Sequence, residues 1–194
     1  MGERLIDRFM PVADVRKVHE IRIAATPERV LEVAESFDLE SLSLIRVLFR
    51  VRAWLLGARR AAPRSRRGLL EEMTAIGWGT LAVEPGRQRV VGAVTRPWEA
   101  EVRFVPVPPE RFLAFAEPGQ VKIVWTLEAE PDPLRPGGSL FRTETRVQAT
   151  DEESRRRFRR YYRMFGAGIV LIRRVLLPAV RRECEKTARA PSRA

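Results

Sequence analysis

Apolar and polar positions alternate through the middle of the chain and recur at offsets of three, four and seven near its end. Strands therefore give way to a long helix. Val18–Ala24 sets His19, Ile21 and Ile23 on one face and Glu20 and Arg22 on the other, the pattern of a half-buried first strand. Thr26, Pro27 and Glu28 carry the marks of a helix start: a capping hydroxyl, a proline at the first helical position and an acid near the positive end. That helix is expected to end near Ser36. A second is predicted over Leu39–Leu56, with a stripe of Leu44, Val47, Leu48, Val51, Trp54 and Leu55. Gly57–Gly68 reads as a basic loop, followed by a short helix over Leu69–Thr74.

Strands follow one another from there. Ile76–Val83 and Gln88–Arg96 are joined at Glu84-Pro85-Gly86-Arg87, a tight-turn signal that predicts a hairpin. Trp98–Val105 puts Trp98, Ala100, Val102 and Phe104 on one face, and Pro108-Pro109 ends it before a helical turn over Glu110–Ala116. In Val121–Glu130 the residues Val121, Ile123, Trp125, Leu127 and Ala129 share a face. In Ser139–Ala149, Phe141, Thr143, Thr145 and Val147 oppose Arg142, Glu144 and Arg146. The last helix opens with capping-box spacing between Thr150 and Glu153. Its stripe is Phe158, Tyr161, Tyr162, Phe165, Ile169, Ile172 and Leu176, with bends expected at Gly166, Gly168 and Pro178.

A length of 194 residues suits one α+β domain over 15–187, with an arm at 1–14 and a tail at 188–194. Leu5, Ile6 and Phe9 in the arm are able to dock on the body. The formal net charge of +11 would suit an anionic partner. Yet Lys17, Lys122 and Lys186 are the only lysines among 36 basic residues. So strong an arginine bias, with abundant alanine and proline, also fits codon composition, and nucleic acid is not the expected partner. The single cysteine, Cys184, excludes an internal disulfide. With no secretory apolar run at the N-terminus, a cytoplasmic location is expected. Met164–Val180 is broken by Arg173 and Arg174 and is shorter than the ~20 apolar residues of a membrane span.

The order of strand, two helices, antiparallel strands and one long helix resembles the START-like, or SRPBCC, superfamily. This is the helix-grip fold of birch-pollen-allergen-type proteins and polyketide cyclases. Thr26-Pro27-Glu28-Arg29-Val30 resembles its turn from first strand to first helix. Val91-Gly92-Ala93-Val94-Thr95-Arg96-Pro97-Trp98 resembles a strand segment of a bacterial subgroup largely without assigned activity. Thr143-Glu144-Thr145-Arg146-Val147, leading to Ala149-Thr150-Asp151, and Gly166–Arg174 resemble that subgroup's last strand and mid-helix. The resemblance implies a curved antiparallel sheet wrapped around the C-terminal helix, two shorter helices after strand one, and a cavity for lipids, polyketides or other hydrophobic molecules. It supplies no catalytic motif and no cofactor.

On that arrangement Trp98, Val102, Phe104, Trp125, Leu127, Phe141, Thr143 and Thr145 face inward from the sheet, and Tyr162, Phe165 and Ile169 from the helix. Apolar walls with sparse hydroxyls suit burial and orientation of a ligand, although such stripes also fill ordinary cores. The expected function is binding, and on occasion transport, of a hydrophobic small molecule or lipid. A cyclase, dehydratase or hydrolase using the same cavity is the enzymatic alternative. It would need His19, Glu144 or Arg142 inside, whereas Glu144 reads as part of a charge ladder on the outer face. A third alternative is an arginine-rich surface module binding membrane or nucleic acid: the Leu44–Leu56 helix and the Arg59–Arg67 loop form a basic amphipathic unit fit for transient contact with an anionic membrane. The bland reading of that unit is a helix buried on two sides or with one face in a homodimer contact. One histidine and one cysteine exclude the usual zinc clusters, and no phosphate-binding or dinucleotide fingerprint occurs. Arg181 and Arg182 close to Cys184 could lower its pKa, but a spectator thiol is the expected reading.

Overall fold

The computed structural model describes residues 4–38, 55, 57 and 68–189, without the side chains of Ile169 and residues 187–189. The second expected helix and the basic loop after it, but for Leu55 and Gly57, lie outside the described residues. So does the 190–194 end of the tail.

The alternation in the middle of the chain becomes one antiparallel sheet. Its strands are β1 (Val15–Ile23), β2 (Gly79–Glu84), β3 (Gln88–Thr95), β4 (Phe104–Val105), β5 (Val121–Pro131) and β6 (Ser139–Ala149). They lie in the order β1-β6-β5-β3-β2, with the short β4 pairing the last two residues of β3. Helix α1 (Pro27–Ser36) follows β1, α2 (Leu69–Ala75) precedes β2, the single turn α3 (Pro109–Phe112) follows β4, and α4 (Glu152–Arg189) closes the chain. The turn at Glu84-Pro85-Gly86-Arg87 forms as its residues require: Arg87 N–H donates to Glu84 O at 3.0 Å, and Gly86 takes φ 71.

Register fixes the two faces of the sheet. His19 lies opposite Thr143, Thr145 opposite Trp125, and Trp125 opposite Val91. Directly paired residues share a face, so these residues, with Phe141 and Leu127, all face α4. Glu144, Arg146, Thr126, Glu128 and Val90 face the other way. On the helix side, Ile23, Val30, Leu31, Trp125 and Phe141 pack with Leu176, Leu177, Val180 and Cys184 from the last third of α4. A smaller cluster joins Phe158 at the start of α4 to Val121, Val147 and Ala149.

The opposite face is not a solvated surface. Ile6 and Met10, both fully buried, and Phe9 lie over Val90, Val94 and Val124 together with Phe112 and Leu81. The arm is therefore folded onto the sheet through a 3-10 turn at Leu5–Arg8.

Two local expectations are corrected. Trp98–Val105 is not a continuous strand, because Glu99 N–H turns back to Arg96 O around Pro97 at 3.1 Å and only Phe104–Val105 pairs. Thr150 does not form a capping box with Glu153: its hydroxyl donates to Gln120 O at 2.9 Å. The cap is Asp151, which accepts from Ser154 N–H at 2.8 Å and Gly119 N–H at 2.5 Å. Both N–H groups and the Ser154 hydroxyl hold its carboxyl far below the usual range. Gly166, Gly168 and Pro178 all lie within unbroken helix.

Candidate functional site

Helix α4 is gripped at its two ends. Phe158 is buried at one end, and Leu176, Leu177 and Val180 at the other. Between Arg159 and Val175 every described side chain is half-buried or exposed. Tyr161, Tyr162, Phe165 and Ile172 thus present an apolar stripe that the protein itself covers only in part, and Ile123 and Thr145 on the facing sheet are likewise half-buried. The aromatic side chains lean on one another: Tyr162 lies 5.7 Å from Phe158 and Phe165 lies 5.0 Å from Tyr161, ring centre to centre. Gly166 makes room for this row. A Cβ there would stand 3.0 Å from the Tyr162 ring.

Arg173 reaches inward from the same stretch. Its guanidinium lies 4.1 Å over the Trp125 ring and donates to Thr145 Oγ1 at 3.0 Å. The stack and the hydrogen bond hold the side chain against the sheet. Burial pushes its pKa down to about 9, and no carboxylate among the described residues pairs with it. Two neighbours are also unsatisfied. Thr143 Oγ1 and Trp125 Nε1 are buried without a hydrogen-bond partner. His19 stands beside Thr143 across the β1–β6 ladder. Burial, then Arg173, Arg174 and Lys17, lower the pKa of His19, so the imidazole is neutral at physiological pH.

The residues predicted to line a cavity divide into groups. Trp125, Leu127, Phe141, Thr143 and Thr145 face α4, although Phe141 and Leu127 are packed into the core beneath its last third. Trp98 sits in the turn after β3, beside Val121, Phe158 and Tyr162. Val102 is half-buried in the loop before β4. Phe104 stacks on Trp78 at 5.2 Å and lies across from Thr95 at the end of β3. Tyr162 and Phe165 lie on the stripe, and the side chain of Ile169 is outside the described residues. Sequence reasoning passed over Arg173, using it only as a break in an apolar run. The signal was present: Arg173 is four residues after Ile169 and three before Leu176, on the stripe itself.

Glu144 does not belong to a loose outer ladder. It is fully buried beneath the arm and is bound by three arginines: Arg146 at 2.6 Å, Arg16 at 2.6 Å, and Arg4. Burial alone would raise its pKa, but hydrogen bonds from Arg146, Arg16 and Arg4 hold it below the ordinary carboxylate value. Arg4 also meets Glu128 at 2.7 Å, and Arg146 meets Asp7 at 2.6 Å and Met10 O at 2.6 Å. This network is structural and faces away from α4. Burial against the core pushes the Cys184 thiol up to about 11 despite nearby Arg29, which disfavours an activated thiolate and agrees with a spectator thiol.

Among the described residues no group of His, Cys, Asp and Glu could hold a metal ion, and no helix is long and apolar enough to cross a membrane. Two open surface clefts, one beside Asp151 and Arg96 and one beside Tyr162 and Arg159, do not include Arg173.

No family model and no curated protein matches the chain. Among solved structures it is similar to norcoclaurine synthase from Thalictrum flavum. A point mutant with a transition state analogue overlays with a TM-score of 0.36 at 14% identity, over 87% of this chain and 98% of that one. The same enzyme with dopamine and hydroxybenzaldehyde gives 0.35 at 14% identity, over 92% and 94%. The helix-over-sheet arrangement stands on the strand register and helix packing described above.

Proposed function

We propose that this chain binds an apolar small molecule between the sheet and the middle of α4. The supporting observation is the uneven burial of the helix: packed at Phe158 and at Leu176–Val180, half-covered from Tyr161 to Ile172. A helix kept only for stability would bury its whole stripe, because each Å² of apolar surface left in water forgoes about 25 cal/mol. A ligand lying under that stretch would recover the loss. Its walls would be aromatic and aliphatic, with Thr145 as one of few polar groups, the composition of a small-molecule site.

Native mass spectrometry of freshly purified protein, before and after organic extraction, tests the reading. A discrete adduct that leaves on extraction is expected. Extracted protein that takes up no apolar compound from a panel of fatty, steroid and aromatic molecules would overturn it.

A further inference from the structure

Resting on the reading just given, we infer that the bound molecule is an apolar monoanion, a carboxylic acid in the simplest case, whose acid group sits on Arg173. The argument starts from an imbalance. Each buried charged residue among those described has a partner: Glu144 and Arg146 each other, Glu128 Arg4, Asp132 Arg22, and Lys122 the Leu113 carbonyl. Arg173 is set against the sheet with one hydroxyl and one aromatic face, and with no acid. Even half-buried, a guanidinium held on a sheet without a counter-charge is costly, and a charge left so is usually neutralised by something else.

The surroundings say what that something is. An arginine fork presents five N–H donors, and Thr145 takes one. Buried beside it, Trp125 Nε1–H is a donor without an acceptor and Thr143 Oγ1 a hydroxyl without a partner. Thr143 and Thr145 are two apart on one face of β6, and Trp125 lies directly across from Thr145. Such a donor-rich cluster lacks acceptors, and an acid group supplies only acceptors. Among the described residues the register partners of Thr143 and Thr145 are His19 and Lys17 on β1 and Leu127 and Trp125 on β5, none of them acidic, and Arg174 follows on α4. The buried carboxylate between Thr143 and Thr145 in sequence, Glu144, points to the opposite face and is already held by three arginines. One half-buried guanidinium, held on the sheet and without a carboxylate partner among the described residues, beside a neutral imidazole matches one negative charge. The apolar body of the ligand would then run along Phe165 and Tyr162.

The test uses two matched pairs, dodecanoate with dodecanol and naphthylacetate with naphthylethanol, titrated calorimetrically into delipidated protein. The variants are Arg173→Met, Arg173→Lys and Thr143→Val. At least one acid is expected to bind wild type about 10- to 100-fold more tightly than its alcohol, the range for hydrogen bonds to a charged group. Arg173→Met should abolish that preference, bringing the affinity for acid down to that for alcohol. Arg173→Lys should retain part of it, because the charge stays and the fork is lost. Thr143→Val, which keeps Arg173 in place, should weaken the acid several-fold. Unliganded Arg173→Met should melt at or above the wild-type temperature. Equal binding of acid and alcohol would overturn the head-group assignment and leave the apolar-binding reading intact. Binding of neither would overturn both. A marked fall in melting temperature on Arg173→Met would make Arg173 a structural residue and overturn the inference.

Discussion

Glu144→Gln removes one negative charge from the most deeply buried ion cluster of the molecule, and its cost follows from the exposure of each partner. Arg16 is 57% exposed, so its bond to Glu144 is screened and worth at most about 1 kcal/mol. Arg4 is 24% exposed and keeps Glu128 when Glu144 is neutralised. Arg146 decides the outcome. At 4% exposure beside a carboxylate at 0%, it is left with Asp7, itself one-third exposed, and the Met10 carbonyl. Removing one partner of a buried pair costs about 3–5 kcal/mol, most of it the penalty of the charge left behind. In a chain of this size each kcal/mol moves Tm by about 2–4 °C, so a fall of roughly 6–20 °C is expected.

The assay is urea unfolding followed by tryptophan fluorescence, with Arg16→Gln as the control from the same cluster. Glu144 has a folded pKa below its unfolded one, which is about 4.3. Its contribution is therefore complete above the unfolded value and is lost as pH falls through the folded one. The stability gap between wild type and Glu144→Gln should be constant from neutrality to about pH 5 and should narrow below about pH 4. Because Arg4, Asp7 and Met10 all reach this cluster from the arm, the variant should also be cut faster by trypsin at Arg8. A loss below about 1 kcal/mol, or a gap that widens in acid, would refute the reasoning.

Other outcomes follow from single contacts. Gly77→Ala should cost more than about 2 kcal/mol by chemical denaturation, since φ there is 103 and a Cβ would stand 2.0 Å from the Phe104 carbonyl oxygen. Gly92→Ala should cost about 1–3 kcal/mol, because the added methyl would lie 2.5 Å from Leu81 Cδ1 and 2.9 Å from Phe112 Cε2. Cys184, buried and with a thiol raised to about 11, should resist iodoacetamide at pH 8 in the folded protein and react at once in guanidinium, as mass spectrometry would record.

The faces of the sheet were legible because a period of two leaves no freedom: Phe141, Thr143 and Thr145 had to oppose Arg142, Glu144 and Arg146 whatever lay on either side. What lay on either side was not legible. Alternation of arginine and glutamate reads as a wet surface, and only a distant segment, Leu5–Met10, turns that surface into an interior. The link between Arg4 and Glu144 spans 140 positions, beyond any local pattern. The strand forecast over Trp98–Val105 failed on local chemistry instead, where Pro97 and the Arg96–Glu99 turn outweighed the alternation. Arg173 was missed for a third reason. A charge within an apolar stripe was read as an interruption when its spacing from Ile169 and Leu176 placed it among the stripe's inward members.

β6 meets charge on both sides, a buried ion cluster on one and a half-buried guanidinium on the other, and the contrast separates stability from function. On one side Glu144 is matched by three arginines, so its charge is balanced within the protein and the cluster pins the arm. On the other, one residue along, Thr145 and Thr143 meet a guanidinium and an indole N–H with too few acceptors among them. A network closed on itself stabilises, and breaking it destabilises. A donor cluster left open lowers the stability of the unliganded protein and is filled only by what binds there. Neutralising Glu144 and neutralising Arg173 should therefore move Tm in opposite directions in the empty protein, although the strand residues they contact are neighbours in sequence. Saturating acid ligand should raise the Tm of wild type and of Glu144→Gln and leave that of Arg173→Met nearly where it was.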